Sequence, residues 1–166
     1  VIAFRGPILY RSLTQLLSYL HWGDLDYLLL DLPPGTGDIA MSLGQKVPTA
    51  EVLVVTTPQQ AASEVAERAG TMAALMNQKI IGVVENMSWL AFTAPDTGKE
   101  YRIDLFGSGG GQEAADALSK RLGTEVPLLA QVPMDIELRK GGDEGDPIVT
   151  AHPESPAAQA LSLIHI

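Results

Sequence analysis

The sequence predicts an α/β fold, a mostly parallel sheet with helices on both faces and one β-hairpin insertion. Three observations carry this. The runs Tyr27–Leu30, Glu51–Thr57 and Lys79–Val84 are mostly apolar or β-branched, as strands covered on both faces are. Helix-period stretches separate them, and strand–helix–strand alternation with short connections implies right-handed crossovers and parallel pairing. Each run also ends on polar or turn-forming residues, Asp31, Thr56-Thr57 and Glu85-Asn86, so the polar groups gather at the carboxyl ends of the strands.

Taken in order, the first element is a helix from Pro7 to Leu20. Pro7 suits the first helical position. Leu9, Leu13, Leu16, Leu17 and Leu20 recur at three- and four-residue steps, and Gly23 follows the end. Arg5 precedes the helix, either solvated or within reach of a phosphate. The strand Tyr27–Leu30 then leads into Pro33-Pro34-Gly35-Thr36-Gly37. Asp38 caps a helix to Lys46, which Pro48 closes. After the strand Glu51–Thr57, a helix from Ala61 to Asn77 aligns Val65, Ala69, Met72 and Met76, a stripe suited to the core.

Beyond the strand Lys79–Val84 the pattern changes. The turn Pro95-Asp96-Thr97-Gly98 is flanked by Trp89–Phe92 and Tyr101–Leu105, which reads as a hairpin excursion over 88–106 with exposed aromatics, a candidate partner surface. Gly107-Ser108-Gly109-Gly110-Gly111 enters a helix Gln112–Leu122. Glycines at a helix start can cradle an anion, but the spacing matches neither G-x-G-x-x-G nor a P-loop, so a hinge serving the hairpin is the better reading. A strand Val126–Val132, a short helix Ile136–Lys140, a polar loop over 141–147 and a last helix beginning near Ser155 complete one domain over 1–166. The absence of an initial Met and the apolar, non-amphipathic run Leu161–Ile166 lead us to expect that both ends are cut from a longer chain.

Composition narrows the function. With 46% hydrophobic and 19% charged residues the chain is neither disordered nor a coiled coil. A net charge of −9 without any Lys/Arg run argues against a nucleic-acid partner. No apolar run is long enough to span a bilayer and no signal peptide is visible, so a cytoplasmic protein is expected. There is no cysteine, and the three histidines, His21, His152 and His165, share no ligand-like spacing.

The most informative stretch is L-D-Y-L-L-L-D-L-P-P-G-T-G-D, Leu25 to Asp38. A buried strand delivers one carboxylate, Asp31, to the ligand-binding edge of a sheet. Prolines then stop the ladder, and Gly35 and Gly37 allow a tight turn with exposed amides. A carboxylate in that position suits a magnesium site beside a phosphate, reached through water. The following loop suits a phosphate-sensing switch. The plain alternative is a strand-end Asp that caps the next turn. At the next strand end, Thr56, Thr57, Gln59 and Gln60 can orient a water or phosphate oxygen, or cap a helix.

Together these stretches resemble the Mrp/ApbC-type ATPases, iron–sulfur cluster carriers within the MinD/ParA class of deviant P-loop ATPases. The resemblance rests on Arg5–Pro7, Trp22–Asp38, T-T-P-Q at Thr56–Gln59 and V-E-N-M-S at Val84–Ser88. It extends through F-G-S-G-G-G at Phe106–Gly111, V-P-M-D at Val132–Asp135 and G-G-D-E-G-D-P at Gly141–Pro147. It implies ATP and Mg2+ as cofactors, with Asp31 as the Walker-B ligand of magnesium and Gly35 and Asp38 in the catalytic switch. It further implies nucleotide contacts from Pro34 and Gly35, adenine contact by Asn86, and Pro133, Met134 and Asp135 packed over the base. A homodimer and iron–sulfur client or scaffold proteins are the implied partners.

Two departures bear on function. The family's P-loop and its lysines lie upstream of Arg5-Gly6-Pro7 and are not in this sequence, so this chain alone is expected to bind nucleotide weakly or not at all. Many members also carry C-x-x-C after N-M-S, whereas Phe92 and Pro95 stand near those positions here. Clusters need thiolates, which puts a bridging cluster in doubt. Three readings follow: a nucleotide-dependent cluster carrier, a MinD/ParA-class ATPase without a cluster role, or a non-catalytic α/β fragment. A nicotinamide dehydrogenase and a serine hydrolase are disfavoured by the lack of G-x-G-x-x-G after a strand and of G-x-S-x-G.

Overall fold

The computed structural model describes residues 6–33, 38–162 and 164, and the side chains among them except those of 6–9 and 38. At its centre stands β2 (Ile80–Thr93), 14 residues long. Its first half pairs in parallel with β1 (Val52–Thr56) on one side and with β4 (Leu128–Met134) on the other. Its second half pairs antiparallel with β3 (Glu100–Ile103). Leu90 is matched both to Ile103 of β3 and to Met134 of β4, so β3 lies on the β1 side of β2, further along the strand.

Helices cover both faces, as expected. On one face α3 (Gln60–Leu75) and α4 (Gly110–Leu122) pack over Val54, Ile80 and Val83, with Leu118 and Ala115 fully enclosed. Close approach is enforced by small residues. A Cβ on Gly70 would lie 2.8 Å from a Leu118 methyl, and one on Gly82 would lie 2.5 Å from Leu129 Cγ. On the other face α6 (Ile148–Ala151) and α7 (Pro156–Ser162) bury Ile148, Ala157 and Ala158 against Val84 and Val132. α5 (Ile136–Glu144) runs past Lys140 through Gly141 and Gly142, where the sequence suggested a loop. Gly141 packs against the Asp146 carbonyl and Gly145 ends the helix at φ 76°, so the turn falls one helical turn later than expected.

The excursion after Val84 is continuous with the central strand. β2 does not stop at Val84 but passes through Glu85-Asn86-Met87 into the hairpin. A register shift between Asn86 and Leu90 accommodates this, with Met87 at φ 55°. The hairpin itself forms where expected, closed by Ala94 N–H donating to the Lys99 carbonyl at 2.9 Å.

The amino-terminal part departs most from expectation. α1 (Gly6–Tyr19) and α2 (Asp38–Lys46) pack on each other. Tyr27–Leu30, expected as a buried strand, is irregular and exposed: Tyr27 is 72% and Leu29 82% accessible. A strand exists only where a neighbour takes its amides and carbonyls. Among the described residues β1 pairs with β2 alone, and no strand stands beside 27–30. The same lack leaves Val55 of β1 59% exposed and Leu16 and Leu20 of the α1 apolar face open.

Candidate functional site

Level with the carboxyl end of β1, the parallel strands β1, β2 and β4 present one row of polar side chains. Thr56, Glu85 and Gln131 are register partners across the three strands. Glu85 is 1% exposed and uses both carboxyl oxygens. Oε2 accepts from the Gly111 N–H at 2.6 Å, and Oε1 accepts from Gln131 Nε2 at 2.8 Å. Gly109, the residue before α4, offers no side-chain cap, so Glu85 caps that helix from across the sheet.

This arrangement settles two sequence alternatives. The glycines at 109–111 do not leave an open anion cradle, because the Gly111 amide is already bonded to Glu85. Nor are Gly110 and Gly111 a loose hinge. Both are buried, the Gly110 carbonyl accepts from Ser63 Oγ at 2.8 Å, and a Cβ on Gly110 would strike the Pro58 carbonyl. Their glycine identity is explained by close packing, a constraint that composition alone does not distinguish from flexibility. Thr56 Oγ1 donates to the Thr57 carbonyl at 3.3 Å, a local turn contact. Sequence reasoning placed Glu85 at the end of an apolar run and gave it no role. A lone acidic residue closing an apolar run was the available signal.

One residue further along β2, Asn86 stands opposite Val132. Its Oδ1 accepts from the Met87 N–H at 2.9 Å, which holds the side chain where the register of β2 with β4 shifts. β4 carries Pro133, which is buried, and Met134, which is half-buried. Asp135 caps α5, accepting from the amides of Glu137 at 2.7 Å and Leu138 at 3.3 Å. Asn86, Pro133, Met134 and Asp135 are therefore gathered at one sheet edge, where open α/β folds bind ligands.

Asp31 is placed differently. It follows an irregular, exposed segment and does not end a strand. The Walker-B geometry expected from the sequence is therefore not assembled in this chain. Pro34 and Gly35 lie outside the described residues, as does the Asp38 side chain; the Asp38 backbone begins α2. Among the described residues no group of three His, Cys, Asp or Glu could hold a metal ion. Among the described residues the sheet edge thus offers apolar walls beside an anchored amide and no assembled metal site.

This architecture defines a class, an α/β protein of P-loop NTPase type with a ligand edge at its carboxyl strand ends. It superimposes with a TM-score of 0.64 on a nucleotide-binding protein of Archaeoglobus fulgidus solved in complex with ADP, at 35% identity over 84% of this chain and 53% of that one. The septum site-determining protein MinD of Pyrococcus horikoshii, complexed with Mg-ADP, aligns at TM-score 0.62 and 25% identity, over 96% of this chain and 54% of that one.

The particular family follows from the sequence match. Residues 1–165 match the ParA family described as NUBPL iron-transfer P-loop NTPase, and the chain belongs to that family. The iron-sulfur cluster carrier protein of Mycobacterium leprae is 56% identical over 160 residues, 96% of this chain and 40% of that protein. That of Deinococcus radiodurans is 47% identical over 98% of this chain and 43% of that protein. The chain thus spans less than half the length of these curated relatives. Among the described residues no helix is long and apolar enough to cross a membrane.

Proposed function

We propose that this chain is the base-reading and partner-facing portion of an ATP-dependent iron–sulfur cluster carrier. The carrying observation is the register of Asn86 opposite Val132, which sets an anchored amide beside Pro133 and Met134 at the sheet edge. In this reading Asn86 hydrogen-bonds the adenine and Pro133, Met134 and Asp135 wall it. Each neutral bond to the base contributes roughly 0.5–1.5 kcal/mol, so the phosphates and magnesium dominate affinity. Asp31 would hold Mg2+ through water, and Pro34, Gly35 and Asp38 would sense the phosphate. The functional unit is a cytoplasmic homodimer that meets iron–sulfur client or scaffold proteins. The cluster is cargo, and its thiolates must come from elsewhere, because this sequence has no cysteine.

The test is calorimetric titration of Mg-ATP into this chain and into a chimera that adds the amino-terminal part of the 56%-identical relative. Binding by the chimera with little by the chain alone supports the reading, and binding by neither overturns it. A second reading, a MinD/ParA-class ATPase with no cluster role, is favoured by the missing cysteines and the MinD likeness. Anaerobic iron loading of the chimera separates the two: nucleotide binding without iron selects the second.

A further inference from the structure

Beside the proposed base site, the pairing of β2 with β4 is regular over a short stretch. Val84, Glu85 and Asn86 face Ala130, Gln131 and Val132 in step. Before them the register slips between Val83 and Val84, where β4 carries Leu129 as an extra residue. Beyond them it slips again, because Asn86 to Leu90 of β2 is matched to the shorter Val132 to Met134 of β4. Bulges are rare in parallel pairs, gather beside functional sites and re-aim side chains. On the other side of β2, pairing with β1 ends at Thr56 and Glu85. Asn86 is therefore the last residue of β2 before the ladder breaks, and among the described residues only β4 stands beside it in register.

We propose that Glu85 and Gln131 form a cross-strand clamp that sets the spacing between Asn86 and the β4 wall, so that both are positioning residues for base binding. The inference rests on the base-contact reading of Asn86 given above. Glu85 and Gln131 are the middle pair of the regular stretch. Oε1 of Glu85 accepts from Gln131 Nε2 at 2.8 Å, on the face where α4 packs. The next pair, Asn86 and Val132, points to the opposite face, because side chains alternate along a strand, and Val132 packs there against Ile148 and Ala157. A bond joining the middle pair therefore acts through the backbone on the pair that borders the base. The clamp is fixed at its far end as well, since Glu85 Oε2 is held by the Gly111 N–H in the first turn of α4.

The rest of the strand end is tied to the same residue. Ser88, which is buried, donates from Oγ to the Glu85 carbonyl at 2.9 Å and folds the bulge back onto Glu85. Met87 stands at φ 55°, a left-handed conformation that side-chain-bearing residues rarely adopt. Its N–H donates to Asn86 Oδ1 at 2.9 Å. Such a conformation persists where the surrounding structure over-determines it, and here the bonds from Gly111, Gln131, Ser88 and Met87 converge on Glu85 and Asn86. Of these partners Gln131 is the exposed one. Its amide can be removed with water taking its place at Oε1, which leaves the buried cap on α4 intact. The clamp can thus be broken without breaking the fold. Since Asn86 serves the base in this reading, the loss should show in ATP and not in inorganic triphosphate.

The experiment is calorimetry of Gln131→Ala in the nucleotide-binding chimera, with Mg-ATP and inorganic triphosphate as probes. ATP affinity is expected to fall about fivefold or more, with triphosphate affinity equal to the parent's. Glu85→Gln combined with Gln131→Glu exchanges donor and acceptor across the clamp and keeps an acceptor for the Gly111 N–H. That double variant is expected to recover ATP affinity to within about threefold of the parent. The parent's own ATP affinity reports on the base reading, whereas the ratio of variant to parent reports on the clamp, so the two fail separately. A second readout needs no nucleotide. In the 166-residue chain, Gln131→Ala should speed hydrogen exchange at the Met87 N–H, which Asn86 holds, with exchange in α3 unchanged. Unchanged ATP affinity, equal loss of ATP and triphosphate, a double variant weaker than Gln131→Ala alone, or unchanged exchange at Met87 would each overturn the clamp.

Discussion

Glu85 and Gly111, 26 positions apart, are joined by a 2.6 Å hydrogen bond that closes the base of the hairpin excursion. The intervening chain leaves the sheet at one end of that bond and re-enters the domain as α4 at the other. A buried carboxyl group therefore fixes where the excursion starts and where it ends.

Removing the Glu85 side chain should be costly. Glu85→Ala leaves the Gly111 N–H unpaired in a buried site and frees the Gln131 amide. We expect a loss of about 3 kcal/mol, read by urea unfolding. Glu85→Gln can still accept from Gly111 while its amide turns to Gln131, and should cost only about 1 kcal/mol. Hydrogen exchange at Gly111 should accelerate in the alanine variant before exchange in β1 and β4 does. Equal acceleration everywhere would mean that Glu85 supports the fold globally and does not close the excursion.

Gly110→Ala tests whether the glycines pack or flex. The new methyl would meet the Pro58 carbonyl and lie 2.6 Å from Ser63 Oγ. Overpacking of this kind costs about 1–3 kcal/mol, seen as a lower denaturation midpoint. Gly142→Ala has open space around it and replaces glycine inside α5, so it should be neutral or stabilising by up to about 1 kcal/mol.

At the ligand edge, Asn86→Ala in the nucleotide-binding chimera should weaken ATP while sparing inorganic triphosphate, measured by calorimetry. Equal loss of both would assign Asn86 to supporting Met87, whose N–H it accepts at 2.9 Å. Asp31→Asn in the same chimera should abolish magnesium-dependent hydrolysis with the melting temperature unchanged, because Asp31 is exposed. Wild-type turnover would remove Asp31 from the metal site.

Glu137 gives a pH prediction. Its carboxyl pKa is lowered from 4.5, first by the hydrogen bond from Lys140, which outweighs the opposing desolvation, and then by the smaller effects of the Lys140, His152 and Arg139 charges. A lowered folded-state value means that the contribution is present above the ordinary glutamate pKa and is lost as pH falls through the lowered one. Lys140→Ala should raise the Glu137 midpoint toward 4.5 in a side-chain NMR titration. An unmoved midpoint would leave the helix and the remaining charges as the cause.

The sequence by itself determined the class of fold, the order of nearly every element and the family. These rest on local signals: β-branched runs at Val52–Thr56 and Ile80–Val84, apolar periodicity in the helices, and turn residues at Pro95–Gly98. Tertiary structure decided the rest, because the deciding contacts join residues far apart in the chain. Leu28–Leu30 reads as a buried strand, yet it is none here, since a strand needs a neighbour and no residue in the run states whether one exists. Gly109–Gly111 reads as a hinge or an anion cradle. Only the approach of Glu85 and Pro58 shows that two of these glycines make room for backbone contact. Asn86 and Met134 are named in the sequence as separate motifs, and the parallel register of β2 with β4 is what sets them on one edge.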